Sequence, residues 1–311
     1  MMPIFTIKDA SLERVSEVPF NLEIDIQTII EKNMKTIFGL EFISTEFILN
    51  DLRIDSLAFD EESKSFVIIE YKRDRNFSVV DQGFAYLATL QKHKADFILL
   101  YNEKTSKSLR KENVDWTQSK VMFISPAYTT YQRKAIEFND FPVELWEIKK
   151  YSNNTVLFNQ IQPVEKGDSI RKIAQSSEII RSVSKEIITY SEDYHLEGCE
   201  DRIKDVYKEL KELIFSLSPT ITMKVRKMYI AFANNGRNFI YLGTKRSALE
   251  LHLSLKKGEL TDPKKVATDI SNKGHFQGVT QYMLKIDNNS DLGYAISLIT
   301  QAFDKTKSLS E

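Results

Sequence analysis

Arg53-Ile54-Asp55-Ser56-Leu57-Ala58-Phe59, followed after a short polar stretch by Phe66-Val67-Ile68-Ile69-Glu70-Tyr71-Lys72-Arg73, decides how this 311-residue chain is read. Both runs are short, largely apolar and bounded by polar residues, as strands are. Asp60-Glu61-Glu62-Ser63-Lys64 lies between them and reads as a hairpin turn, without the Asn-Gly pair that marks such turns sharply. With the turn centred between Glu62 and Ser63, Asp60 faces Ser65 and Asp55 faces Glu70. Directly opposed residues of antiparallel strands hold their Cβ atoms about 5 Å apart. Two carboxylates so placed repel each other unless a cation sits between them, and Mg²⁺, with oxygen ligands at about 2.1 Å, fits that gap. Lys72 lies two residues beyond Glu70 and leaves the same face of the strand. From there it can orient or deprotonate a water and stabilise charge on a phosphate. The Tyr71 carbonyl is a further candidate metal ligand. Acids and lysines near a hairpin are common by chance. What singles these out is their place at the end of an apolar strand, where charged side chains rarely sit without partners.

Working outward, Asn21–Phe38 reads as a helix, with Leu22, Ile26, Ile29, Ile30 and Met34 at helical spacing and Gly39 as its stop. Leu40–Phe47 alternates as a strand before the hairpin strands Leu52–Phe59 and Ser65–Lys72. Ser78–Lys94 reads as a helix, Phe97–Tyr101 as a short apolar strand and Lys104–Asn113 as a charged helix. A strand at Lys120–Ser125, a helix near Tyr128–Phe138 and strands near Val143–Lys149 and Thr155–Ile161 follow. This alternation is an α/β pattern, a mixed sheet flanked by helices, with an antiparallel hairpin early in the sheet.

The hairpin, in this setting, resembles the core of the PD-(D/E)xK nuclease superfamily, closest to its NucS-type and RecB-type branch. The resemblance covers roughly Leu22 to Ile161 and implies a restriction-endonuclease-like fold. In that branch a Gln-x-x-x-Tyr motif rides on the helix after the Glu-x-Lys strand, and Gln82-Gly83-Phe84-Ala85-Tyr86 matches it. Four-residue spacing puts Gln82 and Tyr86 on one helix face. The family also has an acid on the preceding helix. Glu31 resembles it, either as a further metal ligand or as an exposed helix charge. Ile54 stands where the family name has proline, a departure that leaves open whether activity is retained. The resemblance implies phosphodiester hydrolysis, by a DNA endonuclease in defence or repair. Asp55 and Glu70 would hold Mg²⁺ or Mn²⁺, with Lys72 assisting the water, Gln82 and Tyr86 completing the catalytic group, and Arg73 and Arg75 meeting the phosphate backbone. It implies nucleic acid, DNA, as partner and allows a homodimer. The rival expectation is a non-catalytic nucleic-acid-binding or protein-interaction module on the same fold.

The first domain is expected over 1–163, a partly helical linker over 164–197 and a smaller α+β domain over 198–311. That last part opens with a helix, Glu200–Leu217, and continues through strands at Ile221–Val225, Met228–Phe232, Asn238–Leu242, Leu249–Leu255 and Gln281–Ile286 to a helix at Asp291–Asp304. Asn234-Asn235-Gly236 is a plain hairpin turn. Lys227–Phe232, Leu255–Leu260, Asp269–Ser271 and Gly274-His275-Phe276 resemble an uncharacterised domain found attached to such nuclease-like cores, some relatives of which are labelled predicted transport proteins. No segment is long and apolar enough to span a membrane. His275 is read as a turn or packing residue. Lys224, Arg226, Lys227, Lys245 and Arg246 stand among Tyr229, Phe232, Phe239 and Tyr241, a mixture that suits nucleic acid or, equally, alternating strands with an aromatic core.

Composition sets the frame. Hydrophobic residues make up 42% and charged residues 28%, ordinary for a globular protein with a sizeable core. The net charge of −1 divides into −5 over the first 165 residues and +4 over the rest, so any phosphate-facing surface is weakly favoured in the second half. The single cysteine, Cys199, excludes an intramolecular disulfide and fits a reducing cytoplasm. The scattered histidines form no zinc motif.

Overall fold

A computed structural model describes residues 3–49, 52–73, 77–138, 141–163, 169, 178–273 and 280–307. The chain divides into two compact units, Met1–Thr189 and Tyr190–Glu311.

The first unit is mixed α/β. Strands β1 (Ile4–Lys8) and β2 (Ser11–Val15) form a separate hairpin, and β3 (Glu17–Val18) joins the main sheet. Helix α1 (Glu23–Phe38) follows and ends at Gly39, whose φ of 73° and N–H bond to the Lys35 carbonyl close it with a left-handed cap. Then come β4 (Glu41–Leu49), β5 (Leu52–Asp60), β6 (Ser65–Tyr71), α2 (Val79–Lys92), α3 (Lys94–Thr105), β7 (Lys120–Ser125), α4 (Thr130–Ala135), β8 (Val143–Tyr151), β9 (Val156–Ile161) and α5 (Glu178–Glu186). The seven-stranded sheet runs β3-β8-β7-β6-β5-β4, with β9 also on β8. β6, β7 and β8 are mutually parallel and the other pairs antiparallel. Strand alternation sends Ala58, Val67, Ile69, Tyr71, Met122 and Ile124 to one face, where Ile26, Ile30 and Met34 of α1 cover them. Leu57, Phe59, Phe66, Ile68, Val121 and Phe123 go to the other, under α2, α3 and α5. The central strands are thus covered on both sides, which is why β6 carries an uninterrupted apolar run.

Phe97–Tyr101 is helical, contrary to the strand expected there, and lies within α3. Phe97 and Tyr101, four residues apart, are buried together while Leu99 is 58% exposed, a helical and not an alternating pattern. The charged helix expected at Lys104–Asn113 is also absent: α3 stops at Thr105 and one 3₁₀ turn covers Lys111–Asn113. In the segment expected as a linker, α5 buries Val183 in the core of the first unit.

The second unit is α+β. Helices α6 (Glu192–Leu196) and α7 (Asp201–Ser216) precede β10 (Ile221–Val225), β11 (Ile230–Asn234), β12 (Arg237–Lys245), β13 (Ala248–Leu253), β14 (Thr268–Asp269), β15 (Tyr282–Ile286) and α8 (Leu292–Lys307). The sheet order is β10-β11-β12-β13-β15-β14, antiparallel throughout. Apolar faces of α7 and α8 pack with Ile230, Phe232, Ile240, Leu251 and Leu284 into a core of its own. The expected Asn235-Gly236 turn is present, with both residues at positive φ (49° and 77°).

Candidate active site

The site is built at the open end of the β5–β6 hairpin. Asp60 lies opposite Ser65, the expected register, and it holds through to Ser56 opposite Ile69. There the ladder ends, so Asp55 and Glu70 are not a directly opposed pair. Instead the Tyr71 N–H donates to Asp55 Oδ2 at 3.0 Å, and the carboxylate takes the place a strand carbonyl would have filled. On the other side β6 stays attached to β7, since the Lys72 N–H donates to the Ile124 carbonyl at 2.9 Å. The strands therefore part at this end, and Asp55 sits in the fork.

Glu70 is 5% exposed and its two carboxylate oxygens have different partners. Lys72 Nζ lies 2.6 Å from Oε1, and the Tyr86 hydroxyl donates to Oε2, also at 2.6 Å. The same hydroxyl lies 3.2 Å from the Arg53 carbonyl, so α2 is joined to both hairpin strands through one tyrosine. Lys72 Nζ also stands 5.9 Å from the centre of the Phe77 ring. Burial pushes the affinity of Glu70 for protons up, and the nearby charge of Asp55 adds to it. Burial likewise raises Asp55, against the opposing pull of the Tyr71 N–H and of Lys72. Burial and the Glu70 charge raise the Tyr86 hydroxyl far above its ordinary range, so it remains a donor.

α2 comes close enough for this contact because residue 83 is glycine. A Cβ there would fall 2.9 Å from Val143 Cγ2 and 3.0 Å from Phe141 Cζ. Ser78 caps the helix by accepting from the Asp81 N–H.

Asp55, Glu70, Lys72 and Tyr86 are thus brought together. Tyr71 lies against Asp55 through its N–H, and its carbonyl leaves the same strand edge. Gln82 sits one turn before Tyr86 on α2, its carboxamide oxygen buried and without a hydrogen-bond partner. Glu31 Oε1 accepts from Gln27 Nε2 (2.9 Å) and from the Ser56 hydroxyl (2.5 Å). Among the described residues no three His, Cys, Asp or Glu side chains gather to hold an ion. Arg73 is exposed, with its guanidinium on the Asn21 carbonyl and its N–H on Glu23. Arg75 and Gly274-His275-Phe276 lie outside the described residues. Of the aromatics in the second half, Phe232 and Phe239 are core residues, fully buried.

An implied Mg²⁺ or Mn²⁺ matches this donor set. Asp55, Glu70 and the Tyr71 carbonyl are hard oxygen donors of the kind these ions take. Two neighbouring carboxylates served by one lysine carry, when ionised, excess negative charge for a cation to neutralise.

Gln27 and Gly83 escaped the sequence reading. Gln27 is 6% exposed, and its Nε2 reaches Glu31, Thr45 and the Asp55 carbonyl. The available signal was its spacing of three and seven residues from Ile30 and Met34, which puts it on the buried stripe of α1.

Residues 192–306 match a family model described as a domain of unknown function, DUF5655. Over 301 residues the chain is 42% identical to an uncharacterized protein of Haemophilus influenzae, covering 97% of this chain and 99% of that one. A crystal structure of a repair endonuclease from Pyrococcus abyssi is similar at 16% identity and a TM-score of 0.25, over 42% of this chain and 49% of that chain. A structure of an EndoMS–dsDNA2 complex is similar at 14% identity and a TM-score of 0.23, over 40% of this chain and 46% of that one. The chain spans about half the length of each of those two solved chains. Among the described residues no helix is long and apolar enough to cross a membrane.

Proposed function

The chain belongs to one family with the Haemophilus influenzae protein, and from the geometry around Asp55 we propose that its first unit is a metal-dependent nuclease, a DNA endonuclease of defence or repair. One observation carries this. Two carboxylates with raised proton affinity are crowded at the fork of a hairpin, one of them almost fully buried, with a lysine 2.6 Å from the buried one. A binding module has no use for such crowding, which costs desolvation and repulsion. A hydrolytic site does.

Asp55, Glu70 and the Tyr71 carbonyl would hold Mg²⁺ or Mn²⁺, and Gln82, whose carboxamide oxygen has no hydrogen-bond partner, would hold a ligand or phosphate. When bound, such an ion polarises a phosphate and lowers the pKa of a coordinated water. Tyr86 keeps Glu70 Oε2 occupied and so fixes the orientation of the carboxylate. The Lys72 ammonium stabilises negative charge developing on the phosphate and orients the attacking water. Arg73, exposed beside the site, would meet the phosphate backbone; the same role is assigned to Arg75.

The test is cleavage of a panel of DNA and RNA substrates with Mg²⁺ or Mn²⁺, comparing the natural protein with Asp55→Ala and Lys72→Ala. Divalent-dependent cutting of DNA, reduced at least about 100-fold by either substitution, is expected. A natural protein that neither cuts nor binds Mn²⁺ by calorimetry overturns the proposal in favour of a non-catalytic module.

A further inference from the structure

Asp55 lies at an irregular place in the sheet, where contacts besides strand pairing help to hold it. The β4–β5 register passes from Thr45 opposite Ser56 to Phe47 opposite Ile54 without pairing Glu46 with Asp55. Glu46 has a φ of 48°, a left-handed conformation rare for a residue with a side chain. The irregularity also breaks inside–outside alternation, since Ile54 and Leu57, three residues apart, enter the same core cluster. On the β6 side, pairing stops at Ser56 opposite Ile69. Asp55 thus has no directly opposed partner on either side.

The Gln27 side chain reaches this place from α1. Its Nε2 lies within hydrogen-bond distance of three acceptors that share its two hydrogens: the Asp55 carbonyl at 3.1 Å, Thr45 Oγ1 at 2.8 Å and Glu31 Oε1 at 2.9 Å. From Glu31 the connection continues: the Ser56 hydroxyl donates to Glu31 Oε1, and the Tyr71 hydroxyl donates to Ser56 Oγ at 3.0 Å. Ser56 follows Asp55 in the chain, and Tyr71 follows Glu70. One hydrogen-bonded frame on the α1 side of the sheet thus grips the main chain beside each of the two acids. An amide suits the central place, because its nitrogen offers two hydrogens toward a cluster made of acceptors.

We infer that Gln27 is a positioning residue for the proposed active site, and that Glu31 serves as the anchor of its frame, not as a third metal ligand. This rests on the nuclease reading for its purpose but not for its geometry. Gln27 acts through Asp55: with the carbonyl fixed, the carboxylate is held on the Tyr71 N–H, in the fork where it meets Glu70.

The experiment uses the full chain labelled with ¹⁵N-tyrosine, so that the amide signals come from 13 tyrosines alone. The Tyr71 signal is identified by its loss in Tyr71→Phe. Two quantities are measured, hydrogen exchange at the Tyr71 amide and Mn²⁺ affinity by calorimetry. Gln27→Met keeps length and burial but removes the donors. It is expected to speed Tyr71 exchange at least tenfold, leave Tyr207 of the second unit unchanged and weaken Mn²⁺ binding at least tenfold. Ser56→Ala, a smaller change, is expected to move both in the same direction and serves if Gln27→Met does not fold. Glu31→Gln, which still offers an acceptor, is expected to keep both within threefold of the natural protein, whereas Glu31→Leu loses both. Unchanged Tyr71 exchange in Gln27→Met and Ser56→Ala overturns the positioning role. Loss of Mn²⁺ affinity in Glu31→Gln with Tyr71 exchange unchanged makes Glu31 a ligand and overturns that half. If the natural protein binds no Mn²⁺, the nuclease reading fails while Tyr71 exchange still decides whether Gln27 holds Asp55.

Discussion

Asp55 and Glu70 each bind a proton more tightly in the folded chain than a free carboxylate does, chiefly because they are buried. The sign of the consequence is fixed by linkage. A carboxyl raised on folding favours the folded state fully below its ordinary value, here 3.8 for Asp55, and loses that contribution as pH climbs through the raised value. At neutral pH, without divalent ions, the pair is therefore a burden on stability. Asp55→Asn, which still accepts from the Tyr71 N–H, is expected to stabilise the ion-free protein at pH 7 by about 1 kcal/mol in urea denaturation, the common exchange at functional sites. A second outcome follows from the same shifts. Mn²⁺ must displace protons from these groups, so its affinity is expected to rise with pH and level off once pH passes their raised values, with proton release visible as buffer-dependent calorimetric heat. Asp55, Glu70, Lys72 and Tyr86 were legible because charge at the end of an apolar strand, and a tyrosine four residues after a glutamine, stand out in one dimension. Gln27 was not. A glutamine on a helix looks like a solvated residue, and only the fold brings the Asp55 carbonyl to its amide.

At the scale of elements, the packing of α2 decides whether Tyr86 can reach Glu70. Gly83 allows it, at a helix position where alanine would ordinarily be favoured by about 1 kcal/mol. Gly83→Ala is expected instead to destabilise the protein by about 1–3 kcal/mol in urea, because Val143 and Phe141 leave no room for the methyl group. It is also expected to lower cleavage by pushing Tyr86 away from Glu70. The hairpin was readable because its apolar runs end in polar turns, and its register was right for the five pairs that exist. α3 was misread for a physical reason: a five-residue apolar run does not distinguish a strand from a buried helical stretch. The β1–β2 hairpin was overlooked because its turn is Asp9-Ala10, at φ 49° and 61°, where no glycine or asparagine marks the left-handed backbone.

At the scale of the whole molecule, each unit has an apolar core of its own. Residues 190–311, produced alone, are expected to fold and to unfold cooperatively in urea by circular dichroism; a gradual, non-cooperative loss of signal contradicts this. The alternating pattern revealed both architectures, but α5 sits among polar, Ser-rich sequence whose packing depends on partners far away, such as Gln91, which donates to the Val183 carbonyl. The fork that holds Asp55 has one more consequence, in the order of synthesis. All the proposed catalytic side chains, with Gln27 behind them, leave the ribosome by Tyr86. The Lys72 amide must wait for Ile124, and Gly83 for Phe141 and Val143. At about 5–20 residues per second, that leaves the nascent chain several seconds with these side chains made but β7 and the Phe141 and Val143 contacts still missing. A growing chain on a ribosome thus carries the proposed catalytic group before the strands that brace it exist.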